Sequence, residues 1–359
     1  MVDGQSAATP VPGAVVIWSG GAPTIQAFRV PPGGLVLGRE LLATTNDDRI
    51  SRQHARVMWR DRRFVVTDLG SRNGTYTGGN PLVDREVTVT TPSVVRTGRT
   101  VSVLLDDIRR FEGASIGSVH DAIVGPSMAP LWRAVEHAAL AGDNLVILGE
   151  PGTGKGRMAR EYARARSRHE AVFNPLIQAV PLERVVGAGT GTLILEQIGK
   201  LAAQDVAMLG RLIARPELRF VTTAITQLDH LGLPAELAAA LSTRTVALPP
   251  LRDRPDEMAF LVHDAVRGAE PGLQIHSTLV EVCLLRPWPG NVRELVAEVG
   301  RTAHTVAAQG KNNIRGEDLD NDAGHLMVGA PTLNAAVQPT AVGKQRRKRA
   351  STRPSGGGG

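Results

Sequence analysis

Two kinds of hydrophobic pattern divide this 359-residue chain. From Ala14 to about Asp107 the apolar runs are short, and Gly, Pro and Asp break them. They include Ala14-Val15-Val16-Ile17-Trp18, Gly34-Leu35-Val36-Leu37, Ala55-Arg56-Val57-Met58-Trp59, Phe64-Val65-Val66-Thr67 and Val101-Ser102-Val103-Leu104-Leu105. Many short strands between turn residues predict an all-β sandwich. A polar, glycine-containing stretch from Arg109 to about Val119 reads as a linker. From Ile123 onward, Ala- and Arg-rich helical segments alternate with short apolar strands such as Leu145-Val146-Ile147-Leu148, an α/β pattern. After Gly324 the chain turns to Ala, Pro, Thr and Gly, then becomes basic, then ends in Ser-Gly4. Such a tail buries too little apolar surface to offset its ordering entropy, so disorder is expected there.

Composition narrows the picture. No apolar run approaches the roughly 18 residues of a membrane span, and the N-terminus has no basic stretch leading into an apolar core, so it does not read as a signal peptide. The single cysteine, Cys283, excludes an internal disulfide framework and fits a reducing, cytoplasmic location. The net charge of +6 comes from 41 Lys and Arg against 35 Asp and Glu. Beyond Asp322 stand Lys344, Arg346, Arg347, Lys348, Arg349 and Arg353 with no acid, so the tail accounts for the whole excess. The folded part therefore carries no bulk sign of nucleic-acid binding. The tail cluster either touches nucleic-acid phosphates weakly, with strong salt dependence, or is a solvated, solubilising extension.

Three segments of the β-rich region carry candidate chemistry: Gly38-Arg39 after a strand, Ser51-Arg52-Gln53-His54-Ala55, and Asp68-Leu69-Gly70-Ser71-Arg72-Asn73-Gly74-Thr75. A phosphorylated side chain carries about −1.5 to −2 charges and three strong acceptor oxygens. Arginine, hydroxyl and amide groups on loops of a rigid sandwich can bind it, and Arg39, Ser51, Arg52 and Asn73 supply them. The order and spacing of Gly-Arg, Ser-x-x-His and Asn-Gly resemble the forkhead-associated (FHA) domain over about 95 residues, 13–108. The resemblance implies that Arg39 and Ser51 hold a phosphothreonine phosphate, Arg52 assists, and Asn73 fixes the peptide backbone. It makes His54 a structural brace, and Gly38 and Gly74 structural glycines, Gly74 for the turn after Asn73. It also implies a small pocket for the threonine methyl. The partner is then a phosphothreonine protein, a Ser/Thr kinase or its substrate.

The second set begins where Leu145–Leu148 leads into Gly149-Glu150-Pro151-Gly152-Thr153-Gly154-Lys155-Gly156 and a helix from about Arg157. A glycine turn between strand and helix exposes backbone N–H groups to phosphates, and the helix dipole adds to this. Lys155 would reach the β- and γ-phosphates. The general P-loop pattern puts Ser or Thr after the lysine; here Gly156 stands. The alternative is an empty loop that only joins strand to helix.

Residues 121 to about 320 resemble the AAA+ domain of the activators of sigma-54 RNA polymerase, whose loop dispenses with the Ser or Thr. The resemblance rests on Gly191-Thr192-Leu193-Ile194-Leu195-Glu196-Gln197-Ile198-Gly199, Leu248-Pro249-Pro250-Leu251-Arg252-Asp253-Arg254-Pro255 and Pro287-Trp288-Pro289-Gly290-Asn291-Val292-Arg293-Glu294-Leu295. It divides the chain into an α/β core over 121–265, a helical lid over 266–322 and a tail over 323–359. It implies Mg-ATP as cofactor, with Arg293 as the lid arginine on the nucleotide. Where the family has Asp-Glu, this chain has Glu196-Gln197. Glu196 could still reach magnesium through ATP, but Gln197 cannot accept a proton, and a general base contributes about 10²–10⁴-fold. The sensor asparagine aligns with Ile225 and the arginine-finger positions with Pro234 and Ala240. Arginine fingers contribute about 10³–10⁵-fold in related enzymes. The loop that contacts sigma-54 has no counterpart: Lys155 and Glu196 are only 41 residues apart, and 172–191 is a shortened substitute. The helix-turn-helix that ends family members is absent after Asp322.

These residues predict a multidomain chain, an FHA sandwich followed by an AAA+ P-loop domain with a small helical lid. The function expected is phosphothreonine-dependent signalling or transcription regulation, with ATP bound but not hydrolysed. The alternatives are an active ATPase activator and a scaffold in a Ser/Thr kinase pathway outside transcription. AAA+ oligomerisation, or a silent place in a ring of active relatives, follows from the same resemblance.

Overall fold

Ten short strands open the chain: β1 (Gly13–Ser19), β2 (Ala22–Arg29), β3 (Leu35–Leu37), β4 (Ala55–Arg60), β5 (Arg63–Asp68), β6 (Thr75–Thr77), β7 (Asn80–Pro81), β8 (Glu86–Val89), β9 (Ser93–Thr97) and β10 (Thr100–Leu105). In this computed structural model, which describes residues 9–42, 47–166, 169–178, 180–186 and 191–325, they form two antiparallel sheets. One has the order β2-β1-β10-β9-β6-β7 and the other β3-β4-β5-β8. Ala14, Leu37, Val57, Phe64, Val66, Val95 and Leu104 fill the space between them.

Every residue of β1 and of β10 is buried, which a free two-sheet sandwich does not require. Strand alternation explains it. Ala14 and Leu104 face the sandwich interior, while Val15, Ile17, Val101, Val103 and Leu105 belong to a second cluster shared with the helices at the far end of the chain. A register shift between Val16 and Trp18 brings fully buried Trp18 into that same cluster.

The α/β part has five strands: β13 (Leu145–Leu148), β14 (Glu170–Phe173), β15 (Thr192–Leu195), β16 (Arg219–Ala224) and β17 (Arg244–Ala247). Their order is β14-β15-β16-β13-β17, all parallel. Leu145 and Ile147 pack under α1 (Ala129–Ala141) and α2 (Lys155–Arg166). Val146 and Leu148 pack on the opposite face with α3 (Leu182–Val185), α4 (Ala203–Leu212) and α5 (Ala235–Leu241). Two covered faces account for the unbroken apolar run of β13.

Three helices complete the lid: α6 (Pro255–Ala269), α7 (Ser277–Leu285) and α8 (Asn291–Ala308). Met258, Ala259, Val262 and Val266 of α6 lie in one cluster with α7 and α8, while Glu257 and Asp256 at its start accept Gly125 N–H at 2.8 Å and the Ser127 hydroxyl at 2.7 Å. The stretch expected as a linker is anchored as well. Phe111 is buried in this cluster, and β11 (Gly117–Val119) pairs antiparallel with β12 (Ala122–Val124). At the other end Ala323 is buried and Gly324 O accepts Trp288 N–H at 2.9 Å, so the lid extends past the expected boundary at 323. The basic cluster Lys344 to Arg349 lies outside the described residues. Among the described residues no helix is long and apolar enough to cross a membrane.

Candidate functional site

The sandwich rim is built by loops that cross-brace one another. A Cβ on Gly38 would lie 2.0 Å from Arg52 O, so only glycine permits the first two loops to approach this closely. Arg39 N–H donates to Ser51 O at 3.0 Å and its guanidinium Nη2 to Ile50 O at 2.9 Å. The Ser51 hydroxyl oxygen accepts Arg72 N–H at 3.2 Å, which leaves its own proton available. Asn73 Nδ2 donates to Arg49 O at 2.6 Å. Gly74, at φ +72°, takes the left-handed conformation that favours glycine.

His54 ties these loops together. It is fully buried; its Nδ1 accepts Ser51 N–H at 3.1 Å, and Nε2 pairs with Gly74 O at 3.0 Å. Because Nδ1 accepts from a backbone donor, the ring proton sits on Nε2. Burial lowers the His54 pKa, against the opposing pull of Gly74 O and of Asp68 and Asp47.

Sequence reasoning missed two organisers. Burial acts to raise the Asp68 pKa, but hydrogen bonds from the Ser71 and Thr75 hydroxyls and from Ser71 and Gly70 N–H outweigh it and hold the carboxyl down at about 2. Buried Asp47 accepts Arg49 N–H at 2.9 Å, Arg99 N–H at 2.9 Å and the Thr100 hydroxyl at 2.7 Å. Nothing in sequence spacing marks an aspartate that folds a loop through backbone donors. Arg52 is exposed, as are Arg49 and Arg72, and among the described residues none of these three guanidiniums has an acidic partner. The rim thus presents arginine, hydroxyl and amide groups together on one set of loops.

The glycine loop follows β13 and opens α2. Gly152 and Gly154 have φ of +76° and +104°. Lys155 Nζ donates to Gly149 O and Glu150 O, both at 2.8 Å. Burial, with the Arg293 charge second, lowers its pKa to about 8. A cavity of about 910 Å³ adjoins the loop, and Trp132, Thr153, Lys155, Gly156, Glu196 and Arg293 are among its lining residues.

Several groups hold the loop from outside. Arg252 forms a two-pronged ion pair with Glu150 at 2.7 and 3.0 Å. That hydrogen bond is the main cause of the lowered Glu150 pKa. Arg254 is buried, donating to Glu257 Oε2 at 3.1 Å and Thr153 O at 3.3 Å. Within the chain, the two arginines of the Leu-Arg-Asp-Arg signature therefore secure the loop. Asn291 Nδ2 reaches Pro151 O at 2.9 Å and Glu150 Oε2 at 3.1 Å, while its Oδ1 accepts Leu251 N–H at 2.7 Å.

The fit to a nucleotide rests on this loop, on Lys155 and on the cavity shared with Arg293. Glu196 lines the cavity beside the loop: Asn174 Nδ2 holds its Oε2 at 3.1 Å, and Oε1 lies 2.9 Å from where a Cβ on Gly156 would stand. The bare position at 156 accommodates this longer acid. Gln197 also lines the cavity, as an amide. Ile225 is exposed just past β16, Pro234 precedes α5 and Ala240 lies within it, and none of the three can place a positive charge or an amide on a phosphate.

An antiparallel two-sheet sandwich followed by a parallel α/β domain with a strand–glycine loop–helix turn defines a multidomain protein that joins an all-β module to a P-loop α/β module. The FHA domain family matches residues 35–98 and the Sigma-54 interaction domain family residues 124–251. The chain carries both domains. It is 28% identical over 265 residues to the DNA-binding transcriptional regulator NtrC of Rhizobium meliloti, covering 60% of this chain and 54% of NtrC. NtrX from Brucella abortus in complex with ADP is similar at 20% identity and a TM-score of 0.49, covering 61% of this chain and 58% of NtrX. A structure from work on phosphothreonine-dependent FHA domain interactions matches 26% of this chain and 95% of its own at 22% identity and a TM-score of 0.22. The chain spans about half the length of the curated relatives it matches.

Proposed function

We propose that this protein is a phosphothreonine-dependent regulator whose AAA+ domain binds ATP without turning it over. The observation that carries the reading is the rim, where buried His54 ties the Ser51 backbone to Gly74 beside Asn73, and the Arg39 guanidinium holds Ile50 O next to Ser51. A phosphate docking there would accept hydrogen bonds from Arg39 and Ser51, with Arg52 adding charge and Asn73 anchoring the peptide main chain.

At the second site Lys155, the loop N–H groups and Arg293 of the lid would hold the nucleotide phosphates, and Glu196 would hold magnesium, which would supply charge neutralisation at the phosphates. Gln197 can orient a water but cannot take its proton, and no arginine stands at the finger positions Pro234 and Ala240. Bound nucleotide is therefore a structural or signalling ligand. The kinship of the AAA+ part with transcriptional regulators supports a role in transcription control, with a phosphorylated kinase or kinase substrate as partner.

Titration of the full chain with a phosphothreonine peptide pool and its unphosphorylated counterpart tests the first half. Binding confined to the phosphorylated pool and lost in Arg39→Ala supports it, and equal binding of the two pools rejects it. Phosphate release from Mg-ATP above the level of Lys155→Ala would favour the active ATPase instead.

A further inference from the structure

A continuous set of contacts joins the rim to the glycine loop through the lid. On the rim side, Asn73 holds Arg49 O, and Asp47 binds Arg49 N–H and Arg99 N–H with its two oxygens. The β9–β10 turn is pressed against that loop: a Cβ on Gly98 would lie 2.8 Å from Arg49 C and O. Arg96 leaves the same turn. Its guanidinium stacks on Tyr76 at 3.7 Å, two residues beyond Gly74, and its Nε donates to Glu281 Oε2 on α7 at 2.6 Å.

From α7 the path continues. Trp288 Nε1 donates to Cys283 O at 2.7 Å, and Asn291 N–H donates to Trp288 O at 2.7 Å. Asn291 then grips Glu150 and Pro151 of the glycine loop. Gly290 O sits where a Cβ on Gly152 would be, 1.9 Å away. Each link is a hydrogen bond, an ion pair or a backbone contact with no slack. The sandwich, moreover, shares one apolar cluster with α6, α7 and α8. Helix α7 and the segment after it thus touch both the turn that supports the rim and the glycine loop.

We propose that nucleotide occupancy of the glycine loop sets the affinity of the rim for its phosphopeptide, with helix α7 and the Arg96–Glu281 pair as the connection. The nucleotide is the effector and phosphopeptide capture is the output. The inference rests on the reading of the two sites given above. By linkage the phosphopeptide changes nucleotide affinity by the same factor.

The test uses the full chain and a labelled phosphothreonine peptide pool, followed by fluorescence anisotropy with no nucleotide and with saturating Mg-ATP. A fluorescent ATP analogue reports nucleotide binding directly. The expected result is that Mg-ATP tightens phosphopeptide binding about fivefold or more. In Glu281→Gln both ligands still bind but the shift disappears, and the charge swap Arg96→Glu with Glu281→Arg restores it. Thermal melting checks that each variant is folded; the swap retains the pair if Glu281→Gln does not fold. If both ligands bind wild type but phosphopeptide affinity is unchanged or weakened by Mg-ATP, the coupling is wrong and the two sites stand. A full shift in Glu281→Gln also overturns it. Absence of phosphopeptide binding in either state removes the rim reading, and absence of analogue binding removes the nucleotide reading.

Discussion

Arg96 Nε lies 2.6 Å from Glu281 Oε2, and both side chains are nearly excluded from solvent. They stand 185 residues apart in the chain, one on the sandwich and one on the lid. A buried pair of this kind is weak evidence of net stability, because desolvation offsets attraction, but removing one partner typically costs about 3–5 kcal/mol. The pair thus fixes how sandwich and lid meet, while the apolar cluster around Trp18 supplies the burial.

Trp18 sits at that junction, fully buried against residues from both parts. Trp18→Ala is expected to destabilise the protein by about 3–5 kcal/mol, the range for large aromatic deletions in cores. Chemical denaturation followed by tryptophan-independent circular dichroism checks this. Sandwich and lid should unfold in one transition in wild type.

Ser51→Ala and Arg39→Ala should weaken phosphothreonine-peptide binding by about ten- to hundredfold each, the size of charged hydrogen bonds. Their melting temperatures should stay close to wild type, since Ser51 is half-buried and Arg39 exposed. Isothermal titration beside thermal melting separates lost contacts from lost fold.

The pH dependence follows from His54. Its folded pKa is lowered, chiefly by burial, from 6.5, so the unfolded chain binds the proton more readily. Stability from this group is complete above the ordinary imidazole pKa and is lost as pH falls below it. His276 is lowered by burial in the same direction. Glu257, whose carboxyl burial raises to about 7, acts in the opposite direction, so the His54 contribution is read by difference: the advantage of wild type over His54→Asn in urea midpoint should shrink as pH falls from about 7.5 to 5.

Cys283 is fully buried, and burial pushes its thiol up to about 12. The thiolate is the reactive form, so the native protein should resist a thiol reagent at neutral pH. One equivalent should react after unfolding in guanidinium, counted by mass spectrometry. Rapid labelling of the native protein would contradict the packing of α7.

In the glycine loop, Gln197→Glu alone should leave phosphate release at the level of Lys155→Ala. A restored base still lacks the arginine fingers at positions 234 and 240, and catalytic groups act as a unit. A coupled phosphate assay on both variants and wild type decides this.

The short apolar runs from Ala14 to Trp18 and from Val101 to Leu105 marked strands, and the glycines before Lys155 marked a turn between strand and helix. Both are short-range properties, written in neighbouring residues. Asp47 and Asp68 were not legible, because their role is to accept backbone N–H groups that only a folded loop brings together. The anchoring of the expected linker rests on buried Phe111 and on the pairing of Gly117–Val119 with Ala122–Val124, segments too short to show a period. Arg254 carries the family resemblance in the sequence, but its burial and its hold on Thr153 O were not legible there.

The sequence by itself determined the two fold classes and which chemical groups stand in the rim loops and the glycine loop, since these depend on residue type and local spacing. Only the tertiary structure decided that both faces of β1 and β10 are buried and that the sandwich and the lid share one core. The physical reason is that alternation assigns side chains to opposite faces of a strand, whereas what covers each face depends on segments distant in the chain.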